Sequence, residues 1–97
     1  MAAAWRTSDV EALVEALLAM RTPDEMAALL RDLCTLAELE ALGHRLAAAR
    51  LLDTGLPYVA VAARVGGSTT TVTRVAQWLR HGEGGYRMAL DRTAAGT

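Results

Sequence analysis

Residues 1–97 predict one all-α domain of six helices, and three observations carry that expectation. Three helix starts in succession pair a hydroxyl residue with a glutamate three positions on. The apolar residues behind them recur at spacings of three and four, without strand-like alternation. A glycine pair then joins two further apolar-striped segments, the pattern of a helix-turn-helix over about residues 57–81.

The three starts are Ser8-Asp9-Val10-Glu11, Thr22-Pro23-Asp24-Glu25 and Thr35-Leu36-Ala37-Glu38. In each, the hydroxyl can accept from a free N–H of the first turn while the glutamate reaches back to the cap residue. The first helix, about Asp9 to Met20, carries Val10, Leu13, Val14, Leu17 and Leu18 on one stripe. The second, about Pro23 to Leu33, does likewise with Met26, Leu29, Leu30 and Leu33. The third runs from about Leu36 to Asp53 and stops at Gly55. Its leucines 36, 39, 42, 46, 51 and 52, with many alanines, make it apolar on more than one face. Such a helix is expected to sit centrally, with partners around it.

Pro57 suits the first turn of a fourth helix, where its missing N–H has no partner to lose. Val59, Ala60 and Ala63 give that helix an apolar side. Gly66-Gly67 ends it, because glycine enters the left-handed conformation after a helix at no steric cost. Ser68 can cap a fifth helix, in which Val72, Val75, Ala76 and Leu79 share a face. After the loop Gly82-Glu83-Gly84-Gly85, Tyr86 to Arg92 reads as a short last helix, and residues 94–97 are expected to fray. Two helices joined by a tight glycine turn, the second opening with hydroxyls and carrying arginines, read as a DNA-binding module.

Composition agrees. A net charge of −1 hides an asymmetry. Residues 1–43 hold three arginines against eight acids, a balance of −5, whereas residues 44–97 hold seven arginines against three acids, a balance of +4. A polyanion binder needs a local positive face, which total charge does not measure. With 53% hydrophobic residues the chain can build a core, yet at 97 residues it remains small, which leaves burial against a second copy open. No apolar run is long enough to span a membrane. The start MAAAWRTSDVE carries acids where an export signal needs an apolar stretch, and the single Cys34 cannot pair within the chain, so a reduced cytoplasm fits.

Several motifs in order are similar to the Trp-repressor superfamily, in particular its YerC/YecD-type branch. They are Asp32-Leu33-Cys34-Thr35, Glu40-Ala41-Leu42-Gly43-His44-Arg45, the run from Val65 to Val75, and Gly85-Tyr86-Arg87-Met88-Ala89-Leu90. The resemblance covers roughly Thr22 to Arg92. It implies an all-helical, interlocked homodimer whose two heads face successive major grooves, in bacterial transcription regulation. Ser68, Thr69, Thr70, Thr71 and Thr73 match the start of the recognition helix. Arg45 and Arg74 match the two arginines that sandwich the tryptophan co-repressor in the Trp repressor itself, and Thr35 matches a threonine of that pocket. Val75 and Trp78 stand where that repressor has a glycine and a serine, so both should obstruct the pocket. Val59 replaces an arginine that contacts a guanine, so the operator is not inherited.

Residue by residue, the threonines have poor helix propensity, and their crowding at 69, 70, 71 and 73 points to phosphate or base contact, against an ordinary capped start. Arg64, Arg74 and Arg80 suit phosphates, against surface ion pairs. Arg45 can bond a phosphate or pair with Glu38 or Glu40 in a dimer. His44, His81 and Cys34 lack metal-site spacing, and no set of residues offers a catalytic constellation. Cys34 reads as a buried apolar residue, and Trp78 and Tyr86 as packing groups or pocket walls.

The expectation is thus a homodimeric regulator that binds double-stranded DNA, with no cofactor, metal, membrane or enzymatic activity. Two alternatives stand beside it: an amino-acid sensor holding its ligand between Arg45 and Arg74, and an interaction dimer that has lost DNA binding.

Overall fold

The computed structural model describes residues 4–94, in which six α-helices follow one another and no strand occurs. They are α1 (Ser8–Ala19), α2 (Pro23–Leu33), α3 (Leu36–Asp53), α4 (Tyr58–Val65), α5 (Thr69–His81) and α6 (Gly85–Ala94). The all-α, six-helix expectation holds, and the expected fraying concerns mainly residues 95–97, outside the described ones.

The three helix starts differ in how completely their caps form. At α1 the cap is Thr7, not Ser8: its Oγ1 accepts from the Val10 N–H at 3.2 Å, and Glu11 instead pairs with Arg6. With two hydroxyls in a row, the residue in extended backbone becomes the cap, and Thr7 has ψ 170°. At α2 Thr22 accepts from the Glu25 N–H at 3.1 Å, but the Glu25 carboxylate reaches past the cap to the Arg21 N–H at 2.8 Å. At α3 the reciprocal pair is complete, with the Glu38 N–H on Thr35 Oγ1 at 3.1 Å and the Thr35 N–H on Glu38 Oε1 at 2.8 Å. The Thr35 N–H foremost, and the Thr35 hydroxyl beside it, hold the Glu38 carboxyl below its ordinary range. Pro57 precedes α4 as its cap position rather than opening the helix, with ψ 152°. The last helix extends past the expected Tyr86 to Arg92 at both ends.

The chain resolves into two compact units, Met1–Leu39 and Glu40–Thr97. In the first, neither α1 nor α2 buries a residue, and Leu13, Val14, Leu18 and Leu33 stay exposed, Leu18 at 79%. Cys34 is half-buried as the C-cap of α2, less than its apolar stripe predicted.

The second unit owns the core. Ala48 and Ala49 of α3, Val61 and Ala62 of α4, Val72 and Val75 of α5, and Leu90 of α6 are buried together. Leu90 is the one fully buried leucine of that cluster, and the half-buried Leu51, Leu52, Leu56 and Leu79 pack against the cluster. The expectation of a surrounded third helix holds for the C-terminal half alone: Leu36, Leu42 and Leu46 remain 55%, 43% and 38% exposed. Polar links join the end of α3 to α6. Arg87 bonds both Asp53 oxygens at 2.8 and 2.9 Å and also Asp91, while Arg50 donates to Thr93 Oγ1 at 3.0 Å.

Candidate nucleic-acid interface

The turn between α4 and α5 is built as its glycines require. Gly66 adopts φ 75°, open to glycine at little cost, and it and Gly67 both donate to the Ala62 carbonyl, at 3.0 and 3.2 Å. Ser68 then turns extended, and its Oγ accepts from the Thr71 N–H at 3.2 Å. Val61 and Ala62 on one side of the turn and Val72 and Val75 on the other close the pair over a shared core. Residues 57–81 thus form the expected helix-turn-helix.

The five hydroxyls expected at the recognition helix divide into two groups. Ser68 Oγ and Thr71 Oγ1 share a hydrogen bond at 3.3 Å as part of the cap. Thr73 Oγ1 donates to the Thr69 carbonyl at 2.8 Å. Thr69 and Thr70 are exposed, and their hydroxyls make no bond among the described residues. With Val72, Val75 and Ala76 buried, the opposite face of α5 carries Thr70, Arg74, Gln77 and His81, all exposed. Gln77 was not singled out from the sequence. Its signal was there, seven positions after Thr70 and four after Thr73, but polar residues on one stripe attract no notice until the buried face is known.

Arg45, Arg64, Arg74 and Arg80 are exposed, and among the described residues none makes an ion pair or side-chain hydrogen bond. Residues 54–82 contain three arginines and no acid. The whole helix-turn-helix is therefore free of internal charge compensation. The acid just before it, Asp53, is occupied by Arg87, and that hydrogen bond holds its carboxyl below the ordinary aspartate range.

Arg45 and Arg74 share a groove of about 920 Å³, with Trp78, Glu83 and Tyr86 also in its wall. Thr71 lines it too, whereas Ser68, Thr69, Thr70, Thr73, Arg64 and Arg80 do not. Val75 is 3% exposed and belongs mainly to the core, while Trp78 is 61% exposed. Gly82 lies close against Trp78: a Cβ there would collide with the Trp78 carbonyl oxygen and come within 2.9 Å of its ring. Thr35, assigned to the same pocket by resemblance, is engaged as the α3 cap. Among the described residues no His, Cys, Asp and Glu group could hold a metal ion.

A family model described as the Trp repressor protein matches residues 8–94. The uncharacterised protein YerC of Bacillus subtilis is 36% identical over 87 residues, spanning 90% of this chain and 84% of that protein. A TrpR-like protein from Eubacterium eligens superposes with a TM-score of 0.86 at 32% identity, over 92% of either chain. A structure from Staphylococcus aureus gives 0.85 at 32% identity, over 93% of this chain and 90% of that one. The matches run through both compact units, and the chain belongs to the Trp-repressor family, in its YerC-type branch.

Proposed function

We propose that the chain is a homodimeric, sequence-specific DNA-binding regulator of transcription, a repressor acting in the cytoplasm through α5, and that it does not respond to tryptophan. The family is one of regulators, which supports the class of function and gives no reason to expect catalysis. The observation that carries the reading is the outer face of the helix-turn-helix: exposed Thr69 and Thr70 with free hydroxyls, exposed arginines without acidic partners, and no acid from residue 54 to 82. Arg64, Arg74 and Arg80 supply phosphate contacts, whose affinity comes from released counterions and falls with salt. Ser68 and Thr71 order the helix start. Dimerisation is supported by the large apolar side chains that α1, α2 and the first half of α3 leave exposed. Two heads then address half-sites about one helical turn apart. Insensitivity to tryptophan is supported by Trp78 and Val75 in the groove wall.

The test is a fluorescence-anisotropy titration with the chain's own upstream DNA and a scrambled duplex at two salt concentrations. Salt-sensitive binding that prefers the native duplex is expected, with Arg74→Ala weakening both duplexes and lowering the salt slope by about 1. Absence of binding at low salt overturns the reading and favours an interaction dimer.

One observation favours a second reading, an amino-acid sensor: Arg45 and Arg74 line one groove and neither has an acidic partner. A ligand at a hundred times its Kd would stabilise the protein by about 2.7 kcal/mol. Melting unchanged across a panel of amino acids rules that reading out.

A further inference from the structure

Resting on the DNA-binding reading, we infer that α5 reads A·T base pairs, with the Thr73 methyl packed on a thymine methyl and the Gln77 amide bonded to an adenine edge. The starting point is how the threonine hydroxyls are used. Ser68 and Thr71 are engaged in the cap, and the Thr73 proton is donated to the Thr69 carbonyl at 2.8 Å. Thr73 is exposed, yet its hydroxyl has no proton left for a base acceptor. What it offers an approaching base pair is a methyl group and an acceptor oxygen. In the major groove, thymine is the base that carries a methyl.

At about 100° per residue, Thr73, Gln77 and Thr70 fall in one sector about 60° wide, and no arginine lies between them. Arg74 falls to one side of that sector, where it lines the groove, and Arg80 to the other. The sector therefore lacks the side chain that most often selects guanine. Gln77 is exposed with a free amide, and a glutamine can donate to adenine N7 and accept from its N6 amino group at once. Thr73 and Gln77 are one turn apart, about 6 Å along the helix. That separation spans neighbouring base pairs, which lie about 3.4 Å apart. Thr70, with its hydroxyl free, lies at the edge of the sector beyond Gln77 and tolerates either partner.

The experiment selects duplexes from a random library with the full chain and with Thr73→Ser, Thr73→Val and Gln77→Ala, each first shown helical by circular dichroism. The wild-type duplex is then retested with uracil in place of each thymine, which removes the methyl and needs no variant. Expected is an A·T-containing half-site in which one uracil substitution weakens wild-type binding roughly fourfold, the worth of one buried methyl. Thr73→Ser should lose that thymine preference and Thr73→Val keep it, while Gln77→Ala should lose an adenine preference of roughly tenfold. If Thr73→Ser retains the preference and Thr73→Val loses it, the hydroxyl reads the base and the inference falls. If uracil has no effect at any position, it falls as well. If the wild type binds no duplex at low salt, the DNA-binding reading itself fails, an outcome distinct from a clear half-site that the variants leave unchanged.

Discussion

Arg87 grips the carboxylate of Asp53 with two guanidinium nitrogens, at 2.8 and 2.9 Å, across 34 residues of sequence. Asp53 is the last residue of α3 and Arg87 lies in the first turn of α6, so the pair ties the end of one helix to the start of the other within the second unit. Because the arginine favours the ionised carboxylate, the folded state holds this group ionised at a pH where the unfolded chain would protonate it. The stabilisation is present above the ordinary aspartate range and is lost as pH falls through the depressed folded value. Asp53→Asn should lower the melting temperature at neutral pH and shrink its fall on acidification. A melting series from about pH 7 to about pH 3 checks the sign.

Thr35 and Glu38 obey the same rule. Glu38 is also held below its ordinary range, so the cap of α3 weakens as pH falls through that lowered value. Thr35→Ala removes the oxygen that receives the Glu38 N–H and should cost about 1 kcal/mol, read from urea unfolding. A change near zero would mean that α3 does not need this cap.

Leu90 is the one large side chain that α6 buries, at 2% exposure. Leu90→Ala should cost about 2–5 kcal/mol, the loss of a buried side chain together with the cavity it leaves. Denaturant midpoints with an unchanged slope would show the loss to be one of stability.

Leu18, Leu36, Leu42 and Leu46 are exposed in the single chain. If a second copy covers them, the melting temperature should fall by a few degrees on tenfold dilution, because the partner binds the folded chain alone. Static light scattering that finds a monomer at micromolar concentration would refute this.

Gly82→Ala should disturb the α5 terminus, since the added methyl meets the Trp78 carbonyl and ring. A shifted Trp78 fluorescence spectrum with helicity retained is the expected outcome. Trp5 emits too, so Trp5→Phe serves as the background.

Much of this architecture was legible in the chain. Six helices, the glycine turn and the Ser68 cap follow from spacing and capping chemistry that act within four residues. What failed to show was whatever depended on choosing between equivalent neighbours. Thr7 and Ser8 are both competent caps, and backbone conformation selects the first. Glu25 and Glu38 occupy identical positions after a threonine, yet one bonds the amide before the cap and the other the cap itself. In the same way, the crowding of threonines announced a surface but not its chemistry. Which hydroxyls are free depends on rotamers, and Gln77 gained meaning once Val72, Val75 and Ala76 had defined the opposite face. The long-range pair of Arg87 and Asp53 had no signature at all, being two common residues far apart in sequence.

The closing of the helix-turn-helix core by sequential neighbours bears on how the protein comes to exist. Helix α4 packs on α5 and α5 on α6, so most contacts of the second unit span short stretches of chain. Chains dominated by local contacts fold within about microseconds to milliseconds. If two chains pair as proposed, the second unit should be structured before α1 and α2 gain cover, and that bimolecular step would set the pace of assembly. Newly made protein at low abundance would then pass through an interval with a finished head and an unfinished body. The length of that interval would be governed by expression level.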